Sequence, residues 1–319
     1  MVKRYRVAAF GLASWDRLIF VDHYPRPGDY AIVRDTLEQS GGTTTNLAVA
    51  LARLGVDVSI AAMVGDDAEG EQLRAELAAE GIDVEHVRTR AGEPTDRSLI
   101  VVSGRGATAE RTIFWQQGAR LRHGDYLPIE AFFAHDLVVV DIDDAALRRL
   151  IVDLPMHVSP RTRLLGPLVY LTALDPETGL DLALRHDYLV GSAAELCYLT
   201  GTSDLDEAVA VLRDEMILSQ TRLVAISCGP NGCLLIDRAG THAVPAFNVD
   251  AVDPTGAGDA FAAGIALGIL ERWDLETMGR FANAMGALAV QRPGARAGLP
   301  TRDEVECFLA SARVRGPDR

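Results

Sequence analysis

Apolar stretches with strand composition alternate with helix-period stretches along most of the chain, and glycines punctuate the change from one to the other. Arg6–Gly11 reads as a short buried strand whose small residues permit a close backbone approach. Asp16–Val21 and Ala31–Leu37 have strand composition and flank the turn-rich Tyr24-Pro25-Arg26-Pro27-Gly28-Asp29. Gly41-Gly42 opens a predicted helix over Thr43–Leu54, with Gly55 as its stop. A strand follows over Val58–Met63, then a helix over Glu69–Glu80, stopped by Gly81. Ser98–Ser103 and Arg111–Trp115 predict a β-hairpin around Gly104-Arg105-Gly106. From Asp136 onward, strands over Leu137–Asp141, Leu168–Thr172, Tyr188–Val190 and Arg222–Ser227 alternate with helical patterns.

Such alternation implies an α/β fold, a mostly parallel sheet with helices on both faces. The strands near 16–37 and 98–115 break the rhythm and are expected to form a small antiparallel flap. The expectation is one core over 1–319 carrying a lid built from about 14–39 and 96–117. No internal repeat or linker divides the chain, and the pattern assigns nothing to Asp153–Gly166.

Composition narrows the chemistry. The net charge of −14 over 319 residues argues against nucleic acid and anionic membranes as partners, since both need clustered cations. Lys3 is the only lysine, so 30 of the 31 basic residues are arginine, and Schiff-base, Walker-type and protein-kinase lysines are excluded. The four cysteines make no CxxC pair, and no two histidines lie within five residues, so neither disulfides nor a helical zinc site is expected. The longest apolar run, Ala260–Leu270, is too short to span a bilayer. A cytoplasmic protein is the expectation.

Two glycine modules carry the functional signal. In Asp253-Pro254-Thr255-Gly256-Ala257-Gly258-Asp259, a turn without large side chains runs into a long apolar helix. Its N–H groups and the helix dipole suit an anion such as a phosphoryl group in transfer. Asp259, in the first helical turn, either accepts a hydroxyl proton or merely caps the helix. The glycines do not complete G-x-G-x-x-G, because Phe261 occupies the third position. In Gly41-Gly42-Thr43-Thr44-Thr45-Asn46, the paired glycines allow backbone close to a ligand. Asn46, on an otherwise apolar helix, needs partners that either sugar hydroxyls or neighbouring backbone could supply.

Together these modules resemble the two signatures of the phosphofructokinase-B/ribokinase family of carbohydrate kinases, and the likeness runs from Gly11 to about Arg302. The resemblance implies a three-layer α/β/α core with a β-sheet lid, moving the γ-phosphoryl of ATP to a sugar hydroxymethyl group. By that likeness Asp259 is the catalytic base, Gly256, Ala257 and Gly258 form the anion hole, and Asp16, Gly41, Gly42 and Asn46 bind the sugar. The likeness also implies a nucleotide site of Ser192, Ser227, Gly229, Gly232 and Asn283. It places Glu195 near Mg²⁺, and Asp253, Thr255, Ala289, Arg292 and Gly294 around a K⁺ ion.

The sequence departs from the family's Asn-x-x-Glu at Ser192-Ala193-Ala194-Glu195, and Thr43 stands where ribokinases carry lysine. Arg111-Thr112-Ile113 and Val21-Asp22-His23-Tyr24-Pro25 look most like ketohexokinase, which would set Arg111 on sugar hydroxyls. A ketose or related furanose is therefore the expected acceptor. A nucleoside kinase and a non-catalytic sugar sensor are the alternatives. Phe114 and Trp115 beside an open sheet edge suggest a homodimer through the lid, or else rings that close over the sugar of the same chain.

Overall fold

The computed structural model describes residues 4–104, 110–154 and 162–311. Strand β1 (Arg6–Gly11) lies in the interior of a nine-stranded sheet, between β4 (Asp57–Gly65) and β8 (Leu137–Asp141) and parallel to both. Beyond β4 comes β5 (Asp83–Arg90). Beyond β8 come β9 (Leu164–Pro167), β10 (Tyr188–Ser192), β11 (Leu223–Ser227), β12 (Cys233–Asp237) and β13 (Thr241–Val244). The last two strands are antiparallel, an edge that the βα rhythm did not announce.

The period-2 alternation of β1 divides the core. Val7 and Ala9 face one layer of helices: α1 (Thr43–Arg53), α2 (Ala68–Ala79), α8 (Ala257–Glu271), α9 (Leu275–Ala289) and α10 (Arg302–Ser311). Ala8 and Phe10 face the other: α3 (Ile129–Phe132), α4 (Ala145–Asp153), α5 (Pro176–Ala183), α6 (Ala193–Thr200) and α7 (Leu205–Met216). Helix α8 is apolar nearly all round because it is buried on nearly every side, with ten of its fifteen residues inside the core.

The flap is a separate four-stranded sheet in the order β3-β2-β6-β7, built from β2 (Ser14–Val21), β3 (Val33–Gly41), β6 (Asp96–Ser103) and β7 (Glu110–Gln116). It is mixed rather than antiparallel throughout, because β2 runs parallel to β6. Its own small core is Leu18, Ile100 and Val102. The tip expected around Gly104-Arg105-Gly106 falls largely outside the described residues, as does half of Asp153–Gly166.

One predicted strand is wrong. Leu168–Thr172 has β-branched and aromatic composition, yet the sheet position belongs to Leu164–Pro167, and Val169–Ala173 is a 3-10 turn. The ladder with β10 ends at Pro167 opposite Val190. Leu168 N then donates to Val190 O at 3.0 Å, and the chain curls away with Leu171 N on Leu168 O. Among the described residues no helix is long and apolar enough to cross a membrane. The four cysteines are free thiols.

Candidate active site

The chain leaves β1 towards β4 and β5 on one side and returns to β8 on the other, so the strand order reverses between β1 and β8. Open α/β sheets bind ligands in the crevice beyond the carboxyl ends of the strands at such a reversal. Here the two strand ends, Gly11 and Asp141, are paired neighbours. A cleft of about 500 Å³ opens above them, roofed by the lid. Asp16, Gly42, Asn46, Arg111, Ser192, Glu195, Ser227, Thr255, Gly256, Gly258 and Asp259 all reach its wall.

At the lid root, β2 carries Asp16 and β3 returns to Gly41, directly opposite Ser14. Asp16 packs so tightly on Gly41 that a Cβ there would overlap its carboxylate. The carboxyl is 5% exposed and accepts from Ser14 Oγ at 3.1 Å. Burial lifts its pKa to about 6, against the hydrogen bonds of Ser14 and Ser98 and the charge of Arg296. Gly42, at φ 94°, caps α1, and one turn on, the buried Asn46 donates from Nδ2 to Asp259 Oδ2 at 2.9 Å.

Asp259 sits in the first turn of α8, whose cap Gly256 is left-handed at φ 81° and lies against the Ala295 carbonyl. Among the described residues no side chain caps that helix end; Ala257 N donates to Pro254 O at 3.3 Å, and Gly256 and Gly258 line the cleft, so an anion there would meet the positive end of the helix. Asp259 is therefore not the cap of α8. Burial raises its pKa to about 7; Asn46 and Arg111 lower it, while Asp141 and Asp16 raise it.

The nucleotide-side residues divide. Ser192 caps α6 in a capping box: Glu195 N donates to Ser192 Oγ at 3.3 Å, and Ser192 N to Glu195 Oε2 at 2.8 Å. Serine thus caps this helix start, a place that asparagine also suits. Burial holds the Glu195 carboxyl above its ordinary range. Ser227 Oγ donates to Gly191 O at 3.2 Å. Gly229 and Gly232 shape the turn between β11 and β12, both at positive φ, but do not line the cleft. Asn283 is not in the cleft wall either. Its Nδ2 donates to the carbonyls of Val244 at 3.0 Å and Pro245 at 3.1 Å, which ties α9 to the sheet edge.

Asp253 is fully buried. Its Oδ1 accepts from Thr255 N and Oγ1 at 2.9 and 2.6 Å, and its Oδ2 from Gly294 N at 2.8 Å. No basic side chain pairs with it among the described residues, so hydrogen-bond donors alone surround this buried acid. Arg292 donates to Ala297 O at 3.3 Å, and the Ala289 carbonyl packs on Gly298 in the same loop.

The sequence reading passed over a second carboxylate, Asp141. Its Oδ2 accepts from Thr43 Oγ1 and, at 2.9 Å, from Thr44 Oγ1, while its Oδ1 is buried without a partner among the described residues. Its place at the C-terminal end of a central strand was the available signal. Trp115 and Tyr170 close that end, ring centroids 6.2 Å apart, and Asp96 accepts from Trp115 Nε1 at 2.7 Å. Among the described residues that line the cleft, Arg111 is the cation, sharing the wall with the acids Asp16, Asp141, Glu195 and Asp259.

Comparison with known proteins gives the family and the fold. The model of the pfkB family of carbohydrate kinases matches residues 5–302. The chain is 31% identical over 318 residues to an ATP-dependent ribose-1-phosphate kinase of Halopiger xanaduensis, covering 96% of this chain and 98% of that protein. It superposes on the ribokinase of Giardia lamblia with a TM-score of 0.81 at 22% identity, covering 97% and 99%. It also superposes on an Arabidopsis thaliana ribokinase complexed with ribose and ATP, with a TM-score of 0.78 at 23% identity, covering 96% and 99%. These proteins are named for ribose or ribose 1-phosphate, not for ketohexose, so the likeness is to the family at large.

Proposed function

The chain belongs to the pfkB family of carbohydrate kinases, and from that premise we propose that Asp259 is the base that accepts the proton of a sugar hydroxymethyl group as ATP phosphorylates it. The observation that carries this reading is the 2.9 Å hydrogen bond from Asn46 to Asp259, which joins the sugar-side module to the phosphoryl-side module. With Oδ2 engaged by Asn46, Oδ1 of Asp259 is left for the acceptor hydroxyl. A base of modest strength suffices, because in a loose phosphoryl-transfer transition state the proton leaves late.

In this reading Asp16 accepts two hydroxyl protons of the sugar, Gly41 and Gly42 let it approach the backbone, and Asn46 orients the base. Gly256, Ala257 and Gly258 present N–H groups to the charge that develops on the transferred group. Ser192, Ser227 and the Gly229–Gly232 turn border the nucleotide, with Asn283 bracing the adenine side through the sheet edge. Mg²⁺ would neutralise phosphate charge, and the half-buried acid Glu195 in the cleft wall fits an indirect role through water. K⁺ fits the Asp253 loop for a physical reason: a monovalent cation would compensate the buried Asp253 carboxylate. Thr255 and the backbone at Ala289, Arg292 and Gly294 would supply further oxygen.

The acceptor in this reading is a ketose or related furanose. The Arg111-Thr112-Ile113 likeness to ketohexokinase supports the former. The relative named for ribose 1-phosphate supports a second choice, a phosphorylated furanose, for which Arg111 is the cation at hand. A nucleoside fits the same Asp, Gly-Gly and Asn set. A sugar sensor is disfavoured because the base and the uncapped helix end are both present. We place a homodimer interface on the lid, where Leu99, Ile113 and Phe114 are exposed at 38%, 49% and 50%.

The test is ADP release from Mg·ATP with K⁺ across ketoses, aldoses, ribose 1-phosphate, sugar acids and nucleosides. A strong response to one acceptor class supports the reading. No release with any acceptor, where ATP binding is confirmed, overturns it in favour of a sensor.

A further inference from the structure

The pfkB match stops at residue 302, and within its final loop stands a buried cation that no role above uses. Arg296 is 8% exposed and reaches from the C-terminal loop to three elements. Its Nη1 donates to Ser40 Oγ at the lid root, and Ser40 Oγ in turn donates to Glu76 Oε2 on α2. Ser40 N fixes the same carboxylate at 3.1 Å, and Glu76 itself lies 3.8 Å from the guanidinium. Arg53 pins the loop backbone by donating to Arg296 O and Leu299 O at 2.9 and 2.8 Å. From this anchored position Arg296 Nε donates to Asn46 Oδ1 at 3.4 Å.

We propose that Arg296 is a positioning residue for phosphoryl transfer, which locks the Asn46 amide with its NH₂ on Asp259. The inference rests on the assignment of Asp259 as the base. Its chemistry is one of donor inventory. A guanidinium has only donors, so the Asn46 edge facing it must be the carbonyl oxygen, and the opposite edge presented to Asp259 must be the NH₂. An amide free to turn over would instead offer its oxygen to the carboxylate, repelling the charged base. The relay Glu76–Ser40–Arg296–Asn46–Asp259 therefore links the lid root to the reacting end of the cleft.

The charged groups around both ends are few. Asp259 is faced by Asn46 from α1, Asp141 from β8, Arg111 from the lid and Asp16 from β2. Arg296 is faced by Glu76 and Glu80 beside α2, Asp16 from β2 and Arg53 from α1. Loss of the amide's donation leaves Asp259 with fewer partners for its charged form, so the base should demand a higher pH.

A double-mutant cycle on the full-length protein tests this, with Mg·ATP and whichever acceptor gives the fastest ADP release. Arg296→Met should lower kcat about tenfold to a hundredfold, with KM for ATP within about twofold, and move the acidic limb of the rate profile upward. In an Asn46→Ala background the same substitution should change kcat by less than about twofold, because there is no amide left to hold. Equal losses in both backgrounds, or an acidic limb that does not move, would overturn the proposal. Should Arg296→Met fail to fold, Glu76→Gln and Ser40→Ala loosen the same anchor from its outer end. They should give a smaller loss that also vanishes in Asn46→Ala, and no loss overturns the relay. Asp259→Asn is the control: undiminished turnover there refutes the base assignment, whereas lost turnover with an additive cycle refutes only Arg296.

Discussion

Asn46 and Asp259 lie 213 residues apart and share a 2.9 Å hydrogen bond at the meeting of α1 and α8. Neither residue is convincing alone: a helix asparagine can bond backbone, and an aspartate in a first turn can cap it. Their contact removes both readings, because each side chain is spent on the other instead of on its own helix end. Through that contact the two glycine turns face one cleft.

The burial of Asp259 sets a pH dependence. Its pKa is raised to about 7, so the ionised base becomes available only as pH passes through that value. The kcat/KM of the enzyme should climb between about pH 6 and 8 and then level. The profile of ADP release against pH checks this, and a limb near the ordinary carboxylate range would contradict it.

The same shift predicts a trade of stability for activity. An acid whose folded pKa is raised binds its proton in the folded state where the unfolded chain has lost it. The folded state is thus penalised progressively from the ordinary carboxylate range up to about pH 7, and fully above it. Asp259→Asn should therefore stabilise the protein by about 1–2 kcal/mol at pH 8 and by little at pH 5. Urea unfolding at the two pH values measures the difference.

Gly41→Ala tests the sugar side by itself. The added methyl overlaps the Asp16 carboxylate, while the backbone at residue 41 needs no positive φ. The chain should fold and bind ATP as before, with KM for the acceptor raised about tenfold or more. A changed KM for ATP with an unchanged one for the acceptor would place Asp16 elsewhere.

Asp253→Asn probes the cation loop. The buried carboxylate takes three hydrogen bonds from Thr255 and Gly294, so the amide loses acceptor capacity as well as charge. We expect a loss of about 1–3 kcal/mol in stability and the disappearance of activation by K⁺. A K⁺ titration of ADP release in both proteins reads it.

The order of elements and the glycine turns were legible because they are local: strand composition, stop glycines and the Gly256-Ala257-Gly258 entry to α8 need no distant partner. Leu168–Thr172 misled because its composition suits a strand, while occupancy of the sheet was decided by Leu164–Pro167 before it. Asp141 and Arg296 escaped notice for a related reason. One depends on which strands border the reversal of the sheet, the other on a loop folding back over 250 residues to Asn46. The amide of Asn283 is another case of long reach: its helix position is local, but its partners, the carbonyls of Val244 and Pro245, lie 39 and 38 residues away on the sheet edge.

The most direct test of the central claim is Asp259→Asn measured twice, by ADP release with the best acceptor and by calorimetric titration of that acceptor. The account predicts turnover reduced by at least about a thousandfold with acceptor affinity within a fewfold of the parent. Turnover at the parent rate would contradict it.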